Sequence, residues 1–119
     1  MHLRWDDDER RLKLSERRCA PCASDTPPMT REQAQELLPE IPAWALGKRS
    51  ITREFTFKDF REAMTFVNRV ADIAESAGHH PDLFISYNTV KIELWSHKIG
   101  GLSMNDFIEA AKIDQIIAT

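Results

Sequence analysis

The chain predicts an α+β fold: a four-stranded antiparallel sheet with helices packed on one face, a two-layer sandwich. Three observations lead there. Apolar residues recur at helical spacing between Phe60 and Ala77, they alternate at strand spacing between Val90 and Leu94, and the elements run helix, two strands, long helix, two strands, helix. The sequence contains no internal repeat.

The first helix is announced by Thr30-Arg31-Glu32-Gln33, a T-x-x-Q capping box, and must stop by Leu38 because Pro39 disfavours helical geometry before it. Residues 44–57 carry no helix caps. Ser50 to Phe57 is rich in β-branched and aromatic residues with Gly47 and Lys48 as a turn before it, which predicts a hairpin of two strands. The long helix follows, with Phe60, Ala63, Met64, Val67, Val70, Ala71, Ala74 and Ala77 on its apolar stripe. Asp59 can cap its start, Phe57 is placed to pack back on the first turn, and Gly78 suits the left-handed residue just past its end. Pro81 then directs Asp82 to Tyr87 into an extended path, and Asn88-Thr89 forms the turn into the next strand. There Val90, Ile92 and Leu94 face the core, while Lys91, Glu93, Trp95 and His97 share the polar face. Gly100-Gly101 ends the strand, and Ser103 caps a last helix bearing Phe107, Ile108, Ala111 and the apolar residues from Ile113 to Ile117.

With 119 residues, 42% hydrophobic and 29% charged, the chain has the balance of one globular domain. A chain of this size buries roughly two-thirds of its unfolded surface, so subunit association would help it. The net charge of −3, with Lys and Arg scattered, leaves no footprint for nucleic acid or an anionic membrane. No apolar run approaches the roughly 20 residues that span a bilayer, and the first residues lack the apolar core of a signal peptide. The expectation is a cytoplasmic protein. Residues 1–28 are dominated by Asp, Glu, Arg and Ser and broken by Pro21, Pro27 and Pro28; they predict a flexible tail, with the domain spanning residues 29–119. Cys19 and Cys22 are spaced C-x2-C, but a structural zinc site needs further ligands. They are expected to be reduced thiols in the tail, with a redox pair or a site shared between subunits as alternatives.

The residues that carry chemistry form one series, Glu75-x3-His79-His80-Pro81-x5-Tyr87-x9-His97-x8-Asp106. Imidazole gives and takes protons near neutral pH, so histidines converging on one cleft can act as acid and base in a single step. His79 and His80 are adjacent and cannot both point into one core. His97 stands beside Trp95 and Ser96, where the indole offers a stacking wall for a flat ligand. Catalytic zinc held by these histidines is a weaker reading, because adjacent histidines rarely share an ion and the H-x-H and H-x3-H spacings are absent. Glu75 lies in the last turn of the long helix, where the macrodipole disfavours a carboxylate by about 0.3–1 kcal/mol. There it could orient an imidazole or a ligand ring. Asp106 has a structural explanation first, since Ser103-Met104-Asn105-Asp106 is a capping-box pattern.

This series, together with Trp44, the Phe57-Lys58-Asp59-Phe60 helix entry and Gly101-Leu102-Ser103, resembles the pterin-4a-carbinolamine dehydratases over residues 30–117. The resemblance implies the fold argued above, assembled as a homodimer or homotetramer. It implies dehydration of 4a-hydroxytetrahydropterin to quinonoid dihydropterin and water, recycling the cofactor of aromatic amino acid hydroxylases without metal or redox cofactor. By position, His79, His80 and His97 would be catalytic, with His80 and His97 the favoured proton-transfer pair. Glu75, Pro81, Trp95, Ser96 and Asp106 would contact or support the pterin. The chain departs from some relatives at Gly78, where they carry Asp, and at Ser96, where they carry Thr. The tail lies outside the resemblance, as an extension, a regulatory arm or a stretch upstream of a start at Met29. Similar proteins also serve as a transcriptional dimerisation cofactor or an assembly chaperone, which is the alternative function.

Overall fold

A computed structural model describes residues 13–20 and 26–118. The helices are α1 (Arg31–Leu37), α2 (Phe60–Ala77) and α3 (Met104–Ala118); the strands are β1 (Ala45–Leu46), β2 (Ile51–Thr56), β3 (Asp82–Ser86) and β4 (Thr89–Leu94). Short 3-10 turns occupy Leu14–Glu16, Leu38–Glu40 and His97–Ile99.

The four strands form one sheet in the order β1-β2-β4-β3, every neighbouring pair antiparallel, as the sequence predicts. Register runs from Ile51 opposite Leu94 to Thr56 opposite Thr89, and from Asp82 opposite Glu93 to Ser86 opposite Thr89. This pairing brings the start of β3 beside the end of β4. The β3–β4 hairpin turns at Tyr87, whose φ of 50° is left-handed, and Asn88 fastens the turn to β2 by donating to the Phe57 carbonyl at 2.8 Å.

Local signals act where they stand. Thr30 and Gln33 cap α1 reciprocally, Asp59 accepts from the Glu62 N–H at 2.9 Å to open α2, and Gly78 closes it in the left-handed conformation at φ 67°. The last carbonyls of α2 are partly met by Gly78 and His79, which both donate to the Ala74 oxygen.

The core lies between the sheet and the helices, with Ile51, Val70, Val90, Ile92, Leu94, Phe107 and Ile113 fully buried. Asp114 of α3 ties in the first hairpin, accepting from Trp44 Nε1 at 2.9 Å and from Arg53 at 2.6 Å. The buried stripe of α2 is Ala63, Phe66, Val67, Val70 and Ala74. It is rotated from the expected one: Phe60 and Ala71 lie exposed, and Phe66 takes the central place between Phe55 and Phe57 at ring distances of 4.7 and 4.9 Å. Periodicity identifies the helix, but which edge of a broad stripe meets the sheet depends on the partner rings.

A second correction concerns His97. β4 stops at Leu94, so His97 does not extend its odd-numbered face. The chain folds back because Ser96 and Gly101 pair across a small loop, with the Ser96 N–H donating to the Gly101 carbonyl at 2.8 Å and the 3-10 turn from His97 between them. Ser96 is thereby turned inward and His97 outward.

Within the segment read from composition as a tail, residues 13–20 lie along α3. Leu14 is 2% exposed among core residues, Lys112 Nζ donates to the Ser15 carbonyl at 2.9 Å, and the Asn105 amide holds both backbone polar groups of Ala20. Cys22 falls outside the described residues.

Candidate active site

Gly78 ends α2 in a turn that delivers His79 and His80 to opposite environments. His79 is inward, with 14% of its side chain exposed, and its Nε2 lies 2.5 Å from Oδ1 of the fully buried Asp106. His80 is outward, its Nε2 2.6 Å from Glu75 Oε2, with both side chains largely exposed. The i, i+5 reach from Glu75 past the helix end makes this second pair local. The first pair joins α2 to α3.

Asp106 is held from several directions. Its Oδ2 accepts from the Ser96 hydroxyl at 3.0 Å and from the Ser103 N–H at 2.9 Å, and Ser96 also meets Ser103 at 2.8 Å. The Ser103 contact is one half of the capping box expected from the sequence; the Asp106 N–H donates to the Ser103 backbone carbonyl at 3.1 Å. The same carboxylate thus opens α3 and holds His79, so its structural and chemical readings coexist.

Burial works against a charge on His79, but the hydrogen bond and the charge of Asp106, joined by the charge of Glu109, prevail and raise its pKa above the ordinary 6.5. The pair therefore shifts the imidazole towards its protonated form. Its Nε2 is engaged by Asp106, so Nδ1 is the ring atom left for a ligand.

His97 stands on the loop after β4, its ring 3.9 Å from the Trp95 ring and its Nε2 3.7 Å from Asp82 Oδ2. Asp82 also accepts from Trp95 Nε1 at 3.2 Å, and the Arg49 guanidinium lies 4.3 Å over the Trp95 ring. Each of the three histidines therefore has a carboxylate: Asp106 for His79, Glu75 for His80, Asp82 for His97.

An open cavity of about 460 Å³ brings His79, Ser96 and His97 together, with Gly78 and Lys98 beside them. Cys19, Ala20, Ala77 and Asn105 complete its wall. The volume is within the range of small-molecule sites. Of the other residues singled out from the sequence, Asp106 stands behind His79, whereas Glu75, His80, Pro81 and Trp95 are not on the cavity wall. Among the described residues, no three His, Cys, Asp or Glu side chains are gathered to hold a metal ion, and no helix is long and apolar enough to cross a membrane.

Sequence reasoning missed Asp82, Glu109 and the Cys19–Ala20 wall. Asp82 directly follows the His79-His80-Pro81 run, but its pairing with His97 needs the β3–β4 register. Glu109 did leave a trace, as a lone charge inside the apolar run Phe107-Ile108-Glu109-Ala110-Ala111.

Fold and site together define a small two-layer α+β protein with paired histidine and carboxylate groups suited to proton transfer on a small molecule. The family described as pterin 4 alpha carbinolamine dehydratase matches residues 27–116, and the chain belongs to that family. Pterin-4-alpha-carbinolamine dehydratase 2, mitochondrial, of Arabidopsis thaliana is 49% identical over 109 residues, covering 87% of this chain and 58% of the plant protein. A Halorhodospira halophila protein bearing the dehydratase name provisionally is 42% identical over 107 residues, covering 88% of this chain and 98% of its own. Among solved structures, the transcriptional coactivator/pterin dehydratase of Brucella melitensis is similar with a TM-score of 0.70 and 35% identity, covering 75% of this chain and 97% of that one. A pterin dehydratase-like RuBisCO assembly factor of the alpha-carboxysome shares the fold, with a TM-score of 0.55 at 21% identity over 65% of this chain and 92% of its own.

Proposed function

We propose that the protein dehydrates 4a-hydroxytetrahydropterin to quinonoid dihydropterin and water by histidine acid/base catalysis. The observation that carries this reading is the buried His79–Asp106 pair on a cavity shared with His97. In the reaction the bond from C4a to the hydroxyl oxygen breaks as that oxygen gains a proton. A ring N–H gives up its proton, and its electron pair forms the new C=N bond. No electrons enter or leave, so the step itself asks only for an acid and a base. His79, whose protonated form Asp106 favours, is the better placed donor to the leaving hydroxyl, and His97 is the acceptor across the cavity. His80 with Glu75, Pro81 and Trp95 keeps a supporting role from outside the cavity wall. The pterin would be recycled for an aromatic amino acid hydroxylase, and the reaction would be cytoplasmic.

A second reading rests on β3. This edge strand exposes Phe84 by 53% and Tyr87 at its turn by 64%, with Ile85 beside them. Exposed apolar residues on an open sheet edge favour pairing with another chain. That supports a homodimer or homotetramer, and through the same surface a coactivator or assembly role such as the names of two related structures carry.

The deciding measurement is stopped-flow absorbance of 4a-hydroxytetrahydropterin dehydration by chelator-treated protein, with His97→Ala alongside. Fast turnover lost in the variant is expected. A folded protein that gives no acceleration would transfer the assignment to the assembly role.

A further inference from the structure

Glu109 does not line the cavity and bonds to none of the site's groups, yet it is the most anomalous group beside them. Its side chain is fully buried on α3, and neither carboxyl oxygen has a hydrogen-bond partner among the described residues. Buried carboxyl groups without partners are costly, so a helix otherwise packed with Phe107, Ile108, Ala110 and Ala111 gains nothing in stability from one. It stands three residues after Asp106, on the same face of α3 as the carboxylate that binds His79.

We propose that Glu109 is a positioning residue for His79: a second buried carboxyl that shares with Asp106 the task of keeping that imidazole charged. The titratable groups acting on it are His79 and His80 at the exit of α2, and Asp106 and Lys112 on its own helix. Lys112 is drawn towards the Ser15 carbonyl, so His79 is the principal cation. Burial, with the charge of Asp106 in the same direction, raises the Glu109 pKa to about 7. The group therefore exchanges its proton in the range where His79 must remain an acid. As pH rises through neutrality Glu109 ionises, and the new negative charge in a desolvated site makes it harder for His79 to lose its own proton. Asp106 alone supplies the hydrogen bond, and Glu109 widens the range over which the acid survives.

The effect on His79 stands without any substrate, while its consequence for turnover rests on the dehydratase reading. NMR titration of the His79 ring protons in wild type, Glu109→Gln and Glu109→Leu separates the two. The expected result is a fall of about half a unit or more in the His79 midpoint in both variants, a threefold or larger loss of proton affinity. Leu fills the space without a polar atom and covers the case in which Gln misfolds. An unmoved midpoint in either folded variant overturns the proposal. In turnover, the alkaline limb of kcat/KM should move to lower pH by the same amount; a profile that stays in place while His79 shifts overturns the catalytic consequence. A wild-type protein without dehydratase activity, but with His79 shifted in the variants, would overturn the dehydratase reading and uphold the coupling.

Discussion

His79 and Asp106 are 27 positions apart in the chain, yet their Nε2 and Oδ1 atoms lie 2.5 Å from each other, clamping the exit of α2 to the start of α3. The bond is short because both ends are shielded from water and Asp106 is held in place by Ser96 and Ser103. Charge-assisted bonds of this kind are about twice as strong as neutral ones.

Asp106→Asn should damage both stability and turnover. The amide cannot favour the imidazolium, and a buried pair broken at one partner typically loses about 3–5 kcal/mol. Urea unfolding at pH 7 checks the first part, and kcat falling by about 100-fold or more checks the second. A variant as stable as wild type would show that the pair contributes nothing net.

His97→Ala and His79→Ala should each lower the dehydration rate by about 100-fold or more, whereas His80→Ala should cost less, since its ring is paired with Glu75 off the cavity wall. Stopped-flow rates on the three folded variants rank them. Equal or greater loss in His80→Ala would restore the His80–His97 pair favoured by the resemblance.

Stability should fall as pH rises through neutrality, and Glu109 is one reason. Its folded pKa, about 7, lies above the ordinary 4.5, so its favourable protonated state is fully present below about 4.5 and lost as pH rises through about 7. The raised pKa of His79 acts in the same direction, its contribution being present below 6.5 and lost above its folded value. Glu109→Gln removes the first effect and weakens the second. Relative to wild type the variant should gain up to about 3 kcal/mol at pH 8 compared with pH 5 in paired urea titrations. The same difference at both pH values would refute the assignment.

Leu14→Ala should cost about 2–4 kcal/mol, because the side chain is 2% exposed within the core cluster although it lies well before the family match at residue 27. Circular dichroism melts of the variant test this. An unchanged melting temperature would return residues 13–20 to the status of a free tail.

The sequence by itself determined the parts of this protein that depend on near neighbours. Thr30 with Gln33, Asp59 and Gly78 set helix ends because a cap is satisfied within four residues, and the alternation of Val90, Ile92 and Leu94 settles one face of β4 because side-chain direction in a strand is local. The series from Glu75 to Asp106 likewise made a candidate site legible, since its residue types and order are visible in one dimension. Tertiary structure alone decided which carboxylate serves which histidine. Asp82 reaches His97 through the β3–β4 register, and Asp106 reaches His79 through the packing of α2 on α3. It also decided that Glu109 loses its water and that Cys19 and Ala20 wall the cavity. Spacing along a chain gives no measure of desolvation, which depends on what the rest of the fold brings to cover each charge.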